Sequence, residues 1–294
     1  MATVVALSGA IAVAGCGLGA GSEVGDVELR VTRDYGARTL ERSVEDVRES
    51  DTVMRVLDRN AKIETRFGGG FVESISGLSG DERDGRFLDW FFYVNGVESP
   101  TGAAEFELRE GDRIWWDYRD WTAAMRVPAV VGSWPEPFAH GYEGERHPVE
   151  LVCRAAGDVC GEVRSRLVDA GARLASGQGT DPIRVLVGAW IRIRGDDAAE
   201  LIEDGPATSG VFADFERDDR GPMLVALDER GESVTGLRAG AGLVAATRLG
   251  DDPPTWVVTG TDSAGVRAAA RALDADLRGR YAVALDHGRE VRLP

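Results

Sequence analysis

Between Val27 and Thr32 the chain alternates strictly, with Val27, Leu29 and Val31 set against Glu28, Arg30 and Thr32. A period of two puts each set on its own face, so the pattern predicts a half-buried strand. Thr39 to Val44 reads as a second strand. Asp51-Thr52 then supplies a cap for a short helix whose Val53, Val56 and Leu57 share one face. Phe71 to Ile75 and Leu88 to Val94 are again strand-like. Asn95-Gly96 marks a two-residue hairpin turn, because both residues tolerate positive φ. Gly111-Asp112 introduces a last strand, Arg113 to Tyr118. Strands, one helix and further strands predict a small α+β domain over residues 23–122.

Residues 123–147 break this regularity with Pro128, Pro135, Pro137, Gly132, Gly141 and Gly144, and read as a linker. Trp134 and Phe138 are expected to pin it onto a neighbouring domain. From residue 148 to 294 the pattern changes. Val149 to Cys153 reads as a strand, and Val159, Val163, Leu167 and Leu174 fall at helical spacing. Strands are predicted at Ile183 to Ile193, Gly210 to Phe215, Met223 to Leu227, Trp256 to Thr259 and Tyr281 to Leu285. Helices are predicted at Asp196 to Glu203 and Asp262 to Leu273. Repeated strand–helix–strand order predicts an α/β sandwich with right-handed crossovers.

The start of the chain carries different information. Ala2 to Ala14 is uncharged and too short to cross a bilayer as a stop-transfer helix. It runs into Val13-Ala14-Gly15-Cys16, which resembles the bacterial lipobox. That resemblance implies a signal peptide over residues 1–15, lipidation of Cys16 and a flexible tether over 16–22. Stable anchoring to a membrane, outside the cytoplasm, would follow. With Cys16 assigned, Cys153 and Cys160 remain as an even pair, and in an exported chain they are expected to form a disulfide between a strand and a helix.

Charge narrows the partners. The formal net charge is −16, and Lys62 is the only lysine. Without a basic stripe there is no counterion-release route to nucleic acid. The three histidines, His140, His147 and His287, join no metal-ligand or catalytic motif. Neither a Gly-x-Ser-x-Gly elbow nor HExxH occurs. The expectation is therefore no enzyme, no metal and no bound cofactor. Thr261 or Asp262, at a strand-to-helix turn, is read as an N-cap.

A further resemblance concerns residues 27–121. It rests on Thr52 to Leu57, Gly69-Gly70-Phe71-Val72-Glu73-Ser74-Ile75, Gly77-Leu78, Asp89 to Gly96 and Glu110 to Trp116. This order resembles the transcobalamin and intrinsic-factor C-terminal-like domain of bacterial surface proteins. It implies a β-grasp-like fold and a cobalamin-type ligand. The chain as a whole then reads as α+β, a β-grasp-like domain followed by an α/β sandwich.

Aromatics crowd this stretch: Trp90, Phe91, Phe92, Tyr93, Phe106, Trp115, Trp116, Tyr118 and Trp121, in a chain that is 7% aromatic overall. Alternation places Trp90 and Phe92 on one face and Phe91 and Tyr93 on the other, and it separates Trp115 from Trp116. A small sheet with one helix has one core face, so the surplus must meet the second domain, the linker or a ligand. The candidate ligand-binding residues are Gly69, Gly70, Phe71, Trp90, Tyr93, Trp115, Trp116 and Tyr118. The expected function is small-molecule capture at the cell surface, with hand-over to a transporter. The alternative is a structural or protein-interaction module.

Overall fold

The computed structural model of the chain describes residues 21–175 and 181–294. The expected signal peptide, the Cys16 lipidation site and the first part of the tether lie outside the described residues. The chain is mixed α+β, with strands dominating.

The N-terminal part contains β1 (Glu23–Arg33), β2 (Arg38–Arg48), α1 (Val53–Asn60), β3 (Ile63–Arg66), β4 (Phe71–Ile75), β5 (Leu78–Ser79), β6 (Asp81–Arg83), β7 (Arg86–Val94), β8 (Val97–Glu98) and β9 (Arg113–Asp120). Its main sheet has the order β2-β1-β9-β7-β6, with β8 also paired to β7. β1 runs parallel to β9, and every other pair in that sheet is antiparallel. A smaller sheet has the order β3-β4-β5. The alternation in β1 sets this core. Val27, Leu29 and Val31 pack against Val53, Val56 and Leu57 of α1 and against Ile114 and Trp116 of β9. α1 begins at Thr52, whose hydroxyl accepts from the Arg55 backbone N–H at 3.4 Å. Asn95 and Gly96, at φ 54° and 78°, form the turn joining β7 to β8.

The C-terminal part contains β10 (Val149–Cys153), α2 (Val159–Asp169), β11 (Ile183–Ala189), α3 (Trp190–Ile193), α4 (Asp197–Glu203), α5 (Pro206–Ser209), β12 (Ala213–Asp218), β13 (Gly221–Leu227), β14 (Ser233–Leu237), β15 (Ala241–Thr247), β16 (Thr255–Gly260), α6 (Ser263–Arg271), β17 (Val283–Asp286) and β18 (Arg289–Arg292). The central sheet has the order β10-β11-β16-β15-β17-β18. α2 and α6 bury Val163, Leu167, Val266 and Ala269 against one of its faces. The other face packs on α3, α4 and the β12-β13-β14 sheet. A disulfide joins Cys153 to Cys160, between β10 and α2.

Several expectations change here. The sheet is mixed: β10, β11 and β16 are parallel, but β15, β17 and β18 run antiparallel. A uniform series of parallel strand–helix–strand units is therefore not what forms. The strand predicted to reach Ile193 stops at Ala189, where α3 turns Trp190 onto Phe215 with ring centroids 4.0 Å apart. An unbroken apolar run does not distinguish strand from buried helix. Gly210 does not begin a strand; at φ 73° it terminates α5. Leu174 lies beyond α2, in an isolated bridge to Val149.

Residues 123–147 are tightly packed. Val131, Trp134 and Phe138 join the core over the central sheet, and Trp134 and Phe138 both contact the Trp256 ring. Trp134–Pro135 and Glu136–Pro137 are cis peptides.

Candidate functional site

The surplus aromatics divide between two places. On one face of the N-terminal sheet, Tyr93 and Trp115 are buried with Tyr35, Phe212 and Tyr281. This cluster joins the two parts of the chain. Tyr281 meets Tyr93 and Trp115 edge-on, at centroid distances of 5.7 and 5.1 Å. Behind the rings sits Asp117, fully buried. It accepts from Thr32 Oγ1 at 2.5 Å, the Gly36 backbone N–H at 3.1 Å and the Tyr281 hydroxyl at 3.0 Å. Burial pushes its carboxyl up to about 6 despite those hydrogen bonds. Arg119 is also buried, lies 3.8 Å over the Phe91 ring, and donates to the carbonyls of Ala124 and Met125.

On the other face, Trp90 pairs across β7 and β9 with Tyr118, and Phe92 with Trp116. The Phe92 and Trp116 rings stack at 4.8 Å. Here a cleft of about 440 Å³ opens. Trp90, Phe92 and Trp116 line it from the sheet, Gly70 and Phe71 from the start of β4, Pro100 to Ala103 from a loop, and Trp121 and Met125 from the chain after β9. Phe71 is 46% exposed and Met125 66%, so its mouth presents apolar surface to solvent.

Two polar groups stand out in this lining. The Trp116 indole N–H is buried and has no hydrogen-bond partner among the described residues. A buried donor without a partner is costly, on the order of 1–3 kcal/mol. Asp89 is half-buried; burial pushes its carboxyl up, opposed by one hydrogen bond from the Trp90 backbone N–H at 2.8 Å. The cleft thus offers flat apolar walls, with Asp89 among its lining residues.

The sheet edge at the cleft is also interrupted. β6 pairs with Arg86 to Leu88, and β8 pairs with Tyr93 and Val94. Among the described residues, no strand pairs with Asp89 to Phe92 on the side away from β9.

Of the eight expected ligand residues, the structure gathers Gly70, Phe71, Trp90 and Trp116 around this cleft. Tyr93 and Trp115 lie on the opposite face of the sheet, where alternation along β7 and β9 commits them to the join between the two parts. Tyr118 is buried behind Trp90 and donates to the Ser79 carbonyl. Gly69 sits in the β3–β4 turn at φ 96°, with open space where a side chain would project. Phe92, Asp89, Trp121 and Met125 also line the cleft and are not among the residues expected from the sequence. The period-two pattern through Trp90 carried a signal for Phe92. Met125 reaches the cleft through tertiary packing alone.

A larger cavity, about 620 Å³, lies between α6 and the β17–β18 turn, beside Arg267, Arg271 and His287. Its charged side chains are exposed. Asp262, nearby, is occupied as an N-cap. Burial raises its carboxyl, but backbone N–H groups of Gly265, Gly240 and Ala264 outweigh that and hold it below the usual range. Among the described residues no His, Cys, Asp or Glu side chains gather in a group of three able to hold a metal ion. No described helix is long and apolar enough to cross a membrane.

Residues 50–120, which supply most of the cleft, match a family described as Domain of unknown function (DUF4430). No curated protein matches the chain. The crystal structure of a candidate metal-binding protein from Ruminococcus gnavus is similar at 15% identity, over 33% of this chain and 97% of that one, with a TM-score of 0.25. A likeness that low transfers no property to this chain.

Proposed function

We propose that the protein is an exported, lipid-anchored capture protein that holds a flat, largely apolar small molecule in the cleft between β4, β7 and β9. The observation that carries this reading is the open cleft walled by Trp90, Phe92 and Trp116, with Phe71 and Met125 exposed at its mouth. Aromatic walls with few polar groups suit planar amphipathic ligands. The order β2-β1-β9-β7-β6, with β1 parallel to β9, fits a β-grasp domain over residues 23–122, in line with the transcobalamin-like resemblance. A corrinoid is therefore the first ligand to try, and a membrane transporter the natural recipient. Export is supported by the lipobox-like Val13 to Cys16 and by the Cys153–Cys160 disulfide, since such bonds persist in oxidising compartments.

The unpaired edge at Asp89 to Phe92 favours a second reading, in which an extended peptide of a surface protein adds a strand there. The two readings separate in one experiment. The protein is mixed with cobalamin, other corrinoids and planar metabolites, then filtered, and retained absorbance is measured. Capture predicts about one retained ligand per chain, reduced at least tenfold in Phe71→Ala and Trp116→Phe variants that stay folded. No retention of any compound, with binding of extended peptides instead, would replace the first reading with the second.

A further inference from the structure

The face of the N-terminal sheet turned toward the C-terminal part ends in a cluster of arginines. Alternation along β1 puts Glu28 and Arg30 on this face. The β1–β2 register sets Arg42 opposite Arg30, and the β1–β9 register sets Arg113 opposite Glu28. Arg278, between α6 and β17, completes the group.

Acceptors are scarce here. The Glu28 carboxylate is shared by Arg42 at 3.1 Å, Arg113 at 3.6 Å and Arg30 at 3.9 Å. The Trp134 carbonyl is shared by Arg113 at 2.7 Å and Arg278 at 3.2 Å. Arg30 makes no hydrogen bond among the described residues, although its side chain is 16% exposed. Glu136 is the other acidic group whose charge reaches Arg113. Four guanidiniums thus face two carboxylates, in a chain whose net charge is −16. Burial pulls Arg30 and Arg113 below the ordinary guanidinium range; Glu28 opposes this and the neighbouring arginines add to it.

A small cavity of about 10 Å³ lies among Glu28, Arg30, Arg113, Ser133 and Arg278. Ser133, which is buried, also lines it. Space of this size holds one water-sized species. Water would leave the excess positive charge unanswered, and a phosphate or sulfate is too bulky. We infer that this seam binds a halide-sized monovalent anion of the chloride class, held by Arg30, Arg113 and Arg278. The anion would tie the N-terminal sheet to the segment after α6.

The test is thermal unfolding of the purified chain at constant ionic strength, with chloride or bromide replacing gluconate. Screening is then fixed, so a difference reports specific binding. A bound anion predicts a melting temperature that rises with the logarithm of halide concentration above its Kd, and no rise in Arg30→Gln. Crystals grown in bromide provide a measurement that needs no variant, and an anomalous peak beside Arg30 and Ser133 is expected. Equal stability in halide and gluconate, a response to sulfate or phosphate alone, or no bromide peak in the seam would overturn the inference.

Discussion

Asp117 shows how one residue ties stability to pH. Its ordinary value is 3.8 and the folded value about 6. Between those values the folded chain holds a proton that the unfolded chain has released. Its contribution to stability is therefore fullest below pH about 4 and is lost as pH rises through 6. Asn in its place keeps an acceptor for Thr32 and Gly36 without a charge. Asp117→Asn should lose little at pH 4 and gain on the wild type by roughly 1–3 kcal/mol by pH 7. Urea denaturation of both proteins across that range measures the difference; a gap independent of pH would mean the carboxyl is not perturbed. Of these buried groups, the aromatic crowding around Trp115 and Tyr93 is what the sequence makes legible. Asp117 looks there like any acidic residue in an acidic chain. Nothing local says that Tyr281, 164 positions away, will donate to it.

At the scale of elements, legibility followed burial on one face. β1 and α1 each have one buried side, so their periodicity is plain; of the predicted pair Asp51-Thr52 it is Thr52 that caps α1, and of Thr261 and Asp262 it is Asp262 that caps α6. β15, Ala241–Thr247, is buried at every position because helices cover one side of its sheet and the smaller sheet the other. A strand covered on both faces has no alternation to read. The same absence of pattern concealed the change from β11 to α3. The disulfide was legible by elimination among three cysteines. It closes a short loop between β10 and α2, and breaking it should cost about 2 kcal/mol through freedom regained by the unfolded chain. A Cys153→Ser/Cys160→Ser double variant should lower the urea midpoint with little change in slope. An unchanged midpoint would show that packing of α2 on the sheet carries that region unaided.

At the scale of the molecule, the surplus aromatics divide between two tasks. One sheet face is spent on joining the two parts, through Tyr93, Trp115, Tyr281 and the ion pair of Arg86 with Glu229 at 3.2 Å. The other face keeps Trp90, Phe92 and Trp116 at an open cleft. Sequence could state that both faces were aromatic, but not which would remain accessible, because that depends on where the second part docks. Three of the seven tryptophans, Trp90, Trp116 and Trp121, line the cleft, so occupancy should alter emission directly. The decisive measurement is a tryptophan-fluorescence titration with cobalamin and related planar metabolites, corrected for absorbance of the ligand. The account predicts saturable quenching by at least one ligand, weakened in Trp116→Phe and unchanged in a variant at the distant Asp262. No saturable response, or identical responses in the wild type and Trp116→Phe, would contradict it.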